Sequence, residues 1–306
     1  MEQQLDHAAV RAAAGRIAGH IRPVALAPAA DGVRYALEFL QHTGSFKARG
    51  AANFLAAHRA AGALPDAGVT IASGGNAGLA CAWAARAHGI PATVFLPVTA
   101  PRVKVDRLRG YGADVRLAGE RYAEAQAACE EFAARSGALG SHAYDHPLVA
   151  AGAGTLLEEI RAGLPDLDTV VVAVGGGGLF AGVATAARAH GIRVVAAEPE
   201  NCRALHAALE AGRPVDVTVD SIASDSLGAT RVSADALAAA RHEDVVSVLV
   251  PDPAIAAARR ALWEEHRIVV EAGAATALAA LREAPAPLGE RVAVVLCGAN
   301  TDPSDL

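Results

Sequence analysis

The 306-residue sequence predicts an α/β protein of two open parallel-sheet domains with a site in the cleft between them. From Val69 onward, short Val-rich runs alternate with helical segments, the rhythm of repeated βαβ units. The runs are continuously apolar, as strands covered on both faces must be. A polar, proline-ended break at Ser141–Pro147 (SHAYDHP) divides them into two series, so two sheets are expected rather than one.

In chain order, HTGSFKARG (42–50) leads from a mixed apolar and charged stretch into an alanine-rich helix, with Ser45 as its N-cap and Lys47 two residues later. VTIA from Val69 is a strand with a helix near 76–88 behind it; ATVFLP precedes a helix near 101–111; DVRLA precedes a helix near 120–136. After the break, TVVVAV is followed by a helix from about 179, RVVAAEP by a helix from about 201, and DVVSVLV by two further helices. RVAVVLCG is the last strand.

With 53% hydrophobic residues the chain can bury a large core. Its net charge of −6, from 27 basic and 33 acidic residues, contains no basic run for nucleic acid or an acidic membrane surface. The uncharged stretch Thr169–Ala187 is interrupted by four glycines, which excludes a membrane span there. Asp6 and Arg11 leave no apolar core for a secretory signal, and Cys81, Cys129, Cys202 and Cys297 lack metal-ligand spacing; a reducing compartment, the cytoplasm, is expected. Small-molecule partners remain.

Chemistry is sought in the loops at strand ends. In ASGGNAG (72–78), Ser73, Gly74, Gly75 and Asn76 allow a carboxylate to approach the backbone, unless the loop is a plain glycine turn with Asn76 as helix cap. In VGGGGLFAG (174–182), Gly175, Gly176, Gly177 and Gly178 free successive N–H groups at a helix N-terminus, a phosphate nest without a charged side chain. The same stretch matches a loose dinucleotide fingerprint, with Glu198 where a ribose-binding acid would sit. LCGANTD (296–302) ends the last strand and aims Cys297 into the same crevice. A lysine inside a helix N-terminus and out of water has a lowered pKa and can form an imine. Nucleophilic lysine, phosphate nest and carboxylate loop together describe a site for an amino acid joined to pyridoxal 5′-phosphate.

TGSFKARGA, SGGNAG, GGGGL and LCGANTD, in this order, resemble the fold-type-II pyridoxal-phosphate enzymes, and most closely the serine/threonine dehydratases (ammonia-lyases). The resemblance implies a tryptophan-synthase-beta-like fold, with residues 1–44 and 146–306 as the large cofactor-anchoring domain and 45–145 as the small domain. It implies Lys47 as the Schiff-base lysine and, with Ser73, the catalytic set. Phe46 would pack beside the ring, Asn76 would bond the ring 3′-oxygen, and Gly175–Gly178 would cradle the phosphate. Ser73, Gly74, Gly75 and Asn76 would hold the substrate carboxylate, and Cys297 would meet the pyridine nitrogen. A homodimer acting on L-serine or L-threonine is implied, with β-replacement enzymes of this fold and serine racemases as alternatives.

Several positions depart from the family's pattern. Racemases carry a serine where this chain has Gly74, and glycine has no proton to give. Ala204 stands where a second carboxylate would complete a divalent-cation site, which leaves a monovalent cation near Glu198. EAGAA (271–275) keeps the acid Glu271 but not the usual proline. SIASDSLGA (221–229) places Asp225 at the entrance or as a helix cap.

Overall fold

The computed structural model describes residues 4–30, 32–284 and 288–305; the ends of the expected large domain, at 1 and 306, lie outside them. Ten strands form two sheets: β1 (Leu26–Ala30), β2 (Val33–Ala36), β3 (Val69–Ala72), β4 (Ala92–Leu96), β5 (Asp114–Leu117), β6 (Leu139–Gly140), β7 (Thr169–Ala173), β8 (Arg193–Pro199), β9 (Val245–Val250) and β10 (Val292–Val295). The larger sheet runs β1-β2-β10-β7-β8-β9 and the smaller β5-β4-β3-β6. All pairings are parallel except β1 with β2, an antiparallel hairpin at the edge of the larger sheet. That hairpin departs from the purely parallel expectation: Pro28 and the alanines around it mask the strand pattern, and only an edge position tolerates the proline.

The predicted helices fall close to their expected places, at Asn76–His88, Arg102–Gly110, Tyr122–Ser136, Gly178–Arg188, Ala204–Ala211, Asp252–His266 and Ala272–Glu283. The Ser141–Pro147 break is the loop entering helix Pro147–Gly163, whose N-cap is His146 and whose first residue is Pro147. Strands β7, β8 and β10 and helices Pro147–Gly163, Gly178–Arg188 and Ala272–Glu283 make up most of the larger core; Val69, Ile71, Val94, Leu96 and Leu108 anchor the smaller one. No described helix is long and apolar enough to cross a membrane.

Topology fixes where a ligand can enter. In the larger sheet the chain proceeds from β7 outward through β8 to β9, then returns to place β10 on the other side of β7. In the smaller sheet it goes from β3 through β4 to β5, then places β6 on the other side of β3. Loops leaving β7 and β10, and those leaving β3 and β6, therefore diverge at two switch points, where open α/β sheets form their crevices.

Candidate active site

Loops from both switch points line one cleft of about 540 Å³, with Phe46, Lys47, Ser73, Gly74, Gly75, Asn76, Gly175, Gly176, Gly177, Gly178 and Cys297 all on its walls. The structure thus brings together the predicted site residues, apart from Glu198.

The chain reaches Lys47 through a kink at Thr43 (φ 63°) and Gly44 (φ 76°). Ser45 is extended and bridges Gly298, and the Phe46 N–H donates to the Cys297 carbonyl at 2.9 Å. Ser45 is therefore not the N-cap that the sequence suggested. Phe46 occupies that position without a side-chain cap bond, and the Ser45 hydroxyl is buried with no partner among the described residues. The reason is the bridge, which holds Ser45 against the end of β10 rather than over the helix mouth.

Lys47 opens helix Lys47–Ala60 and is half-buried overall, with its amine end enclosed. Its Nζ donates to the Ala143 carbonyl at 2.8 Å, on the loop after β6, and lies 4.8 Å from the Phe46 ring centre. Burial pushes the amine down to about 8, partly offset by the negative field of Glu271. A fair fraction is then neutral near physiological pH.

The loop after β3 forms the facing wall. Asn76 is the first residue of its helix rather than the cap, which is Gly75. Its Nδ2 donates to Glu271 at 2.8 and 3.1 Å, while its Oδ1 accepts from Asn300 Nδ2 at 2.7 Å. Asn300 also donates to the Thr43 carbonyl, so one side chain joins the kink, the last loop and the carboxylate loop. A Cβ added at Gly74 would meet Leu96 Cδ2 at 2.6 Å.

The glycine loop fits a phosphate. Gly177 is left-handed (φ 95°); a Cβ at Gly175 would come 3.0 Å from Leu227 Cα, one at Gly176 would run into the Tyr144 ring, and one at Gly178 would lie 2.8 Å from the Tyr144 carbonyl. Only glycine passes through that space, and helix Gly178–Arg188 begins here with its N-terminal donors at the cleft.

Burial drives the Cys297 thiol strongly upward, so it stays a neutral S–H. Glu271 is pushed up to about 7 by burial, against the hydrogen bond from Asn76. Glu198 lies outside the cleft. Its two oxygens accept the N–H groups of Leu205 (2.7 Å) and His206 (2.8 Å), anchoring helix Ala204–Ala211, so a cation beside it would meet the positive end of that helix. Asp225 lines the cleft and caps nothing: it accepts from Lys104 Nζ at 2.5 Å. Asn300 and Lys104 were not singled out from the sequence. Asn300 lies within LCGANTD, and Lys104 is one of just two lysines in the chain.

A half-buried amine of lowered pKa facing a glycine-only phosphate cradle, with a second glycine loop opposite for a carboxylate, is the working surface of a pyridoxal-phosphate enzyme of fold type II. The model of the pyridoxal-phosphate dependent enzyme family matches residues 17–298, and the chain belongs to that family. It is 38% identical over 274 residues to an L-threonine ammonia-lyase of Geobacter sulfurreducens, covering 88% of this chain and 67% of that protein. It is 36% identical over 277 residues to a serine dehydratase-like protein of Mus musculus, covering 86% and 83%. Among solved structures, maize serine racemase superposes with a TM-score of 0.92 at 27% identity over 99% of this chain and 96% of that one. Threonine deaminase isoform 2 of Solanum lycopersicum does so at 0.88 and 27% over 100% and 88%. The nucleotide reading of the glycine loop is thereby set aside: the cofactor is pyridoxal phosphate.

Proposed function

We propose that the protein eliminates water from L-serine and/or L-threonine and that hydrolysis of the resulting imine takes that water back and releases ammonia, giving pyruvate or 2-oxobutyrate. The observation that carries this reading is the convergence of Lys47, the Gly175–Gly178 cradle and the Ser73–Asn76 loop on one cleft, with relatives named for ammonia-lyase and dehydratase reactions. When bound, pyridoxal phosphate supplies an electron sink for charge developing at the substrate Cα. Lys47 carries the cofactor, and its freed amine takes the Cα proton at Nζ. The Ser73 hydroxyl and the N–H groups of residues 74–76 bind the carboxylate. Asn76, clamped between Glu271 and Asn300, would hold the ring's 3′-oxygen edge, Phe46 would pack beside the ring, and Gly175–Gly178 would hold the phosphate.

Cys297, a neutral thiol on the cleft wall, would meet the ring nitrogen and leave it without a fixed negative partner. That favours a reaction in which the leaving group departs as the proton is lost over one needing a long-lived carbanion. We assign residues 45–145 to the small domain and 1–44 with 146–306 to the large one; a cytoplasmic homodimer is the expected assembly.

A racemase reading draws on the likeness to maize serine racemase. Position 74 weighs against it, since glycine offers no acid on the second face and Leu96 fills the space a side chain would take. The deciding assay supplies the holoenzyme with L-serine and with L-threonine, measuring 2-oxoacid, ammonia and D-isomer together. Stoichiometric 2-oxoacid and ammonia are expected; D-serine as the main product, or product only when a thiol co-substrate is added, would replace this reading.

A further inference from the structure

Outside the cleft, three side chains from three separate parts of the chain point their ligand atoms at one another. His7 opens the first helix, His7–Ile17; Glu158 lies in helix Pro147–Gly163; His190 follows helix Gly178–Arg188. His7 Nε2 stands 2.8 Å from Glu158 Oε1, and His190 Nε2 stands 3.1 Å from the same oxygen and 3.3 Å from Oε2. The two imidazoles meet edge to face with centres 5.1 Å apart, and all three ligand atoms lie within 4.8 Å of one another. None of the three lines the cleft.

We propose that His7, Glu158 and His190 form a binding site for a borderline transition-metal dication, zinc above all, that pins the first helix to the two helices beneath it. A tetrahedral ion bound at about 2.0–2.1 Å needs ligand atoms about 3.3 Å apart, and the observed nitrogen–oxygen edges already approach that spacing. Two imidazoles and one carboxylate suit zinc, nickel or copper and not magnesium or calcium, which require more oxygen ligands. Each of the three side chains is between 19% and 30% exposed, so the fourth position is open to water while the protein ligands are held in place. The metal's role is structural: it closes a loop of about 150 residues between His7 and Glu158, adding to the core packing of Val10 and Ala13 on the first helix, and such a clip gains more for long loops than for short ones.

The test uses the pyridoxal-phosphate-loaded protein, stripped with a chelator and then titrated with zinc chloride. One zinc retained per chain after gel filtration is expected, with a rise in melting temperature of about 2 °C or more, while magnesium chloride leaves both readings unchanged. His7→Gln and His190→Gln keep a donor to Glu158 and so preserve the hydrogen bonds. Loss of an outer-shell partner weakens metal sites about 10–100-fold, so loss of a direct ligand should weaken zinc binding by at least about tenfold, with the visible absorbance of the cofactor and turnover at saturating substrate unchanged. Wild-type protein that retains no zinc would overturn the proposal. So would Gln variants that bind it as tightly as wild type, or a melting rise that persists in the doubly substituted protein.

Discussion

Lys47 and Arg49 sit two residues apart on one helix, both cationic by type and both withdrawn from water, yet the protein drives them in opposite directions. Lys47 faces the cleft, where its amine meets a backbone carbonyl and no carboxylate within hydrogen-bond distance, and burial pulls its pKa down to about 8. Arg49 faces the helical layer, fully buried. Its guanidinium donates to both oxygens of Glu38, to both of Glu159 and to the Thr155 hydroxyl, which hold it firmly protonated. Withdrawal from water alone makes a reactive amine; with two carboxylates it makes a permanent structural charge. The paired Arg49 locks the helix and so gives the unpaired Lys47 a fixed place to react from.

The largest effect should come from breaking the reactive side. Lys47→Ala is expected to lower turnover by about 10³-fold or more with little change in melting temperature. Lys47→Arg should be as inactive, because a guanidinium cannot be neutral at working pH. Since the chain has only two lysines, borohydride reduction of the loaded protein followed by peptide mass mapping reads directly which one holds the cofactor. A label on Lys104, or an active Lys47→Ala, would end the assignment.

Breaking the structural side should cost stability instead. Arg49→Met leaves Glu38 buried and unpaired, a loss of about 3–5 kcal/mol that urea unfolding would read. A loss under about 1 kcal/mol would mean the ion pair does not hold the helix. A smaller effect follows from the lowered Lys47 pKa: since the neutral amine is the active form, turnover should fall as pH drops below about 8, approaching tenfold per unit. A flat profile from pH 6 to 9 would show that another base works.

The reactive half of this comparison was legible in the sequence and the structural half was not. Lys47, the glycine run and SGGNAG are local words, each with its chemistry inside a few residues, and buried parallel strands announce themselves by unbroken runs such as TVVVA. The Glu38–Arg49–Glu159 cluster spans 11 and 110 residues of separation, and nothing local marks those acids as partners. The same holds for Asn300, whose two partners, Thr43 and Asn76, lie 257 and 224 residues away. The β1–β2 hairpin and the two-residue β6 were missed because a proline and shortness erase the periodicity on which strand reading depends. The supposed Ser45 cap shows a related limit: a bridge to Gly298, more than 250 residues further on, overrode a good local signal.

The smallest effect belongs to the chain's other lysine, which sharpens the comparison because it is paired but not buried. Lys104 Nζ meets Asp225 across the cleft mouth at 2.5 Å, with side chains 34% and 68% exposed. Water screens such a pair, so Lys104→Met should change stability by only about 0–1 kcal/mol, against several for Arg49→Met. Its position allows a different consequence. The pair joins the helix after β4 to the segment that backs the glycine loop, and Lys104 lies beside Gly74 and Glu271 on the wall where the substrate enters. Losing it should raise KM by about fivefold or less, the kinetic equivalent of about 1 kcal/mol, with kcat nearly unchanged. Added salt should move the wild-type KM toward that of the variant, because an exposed pair weakens as the Debye length shrinks to about 3 Å at 1 M. A kcat that collapses along with KM would place Lys104 among the reacting groups, and the contrast between a buried reactive lysine and an exposed gating one would no longer stand.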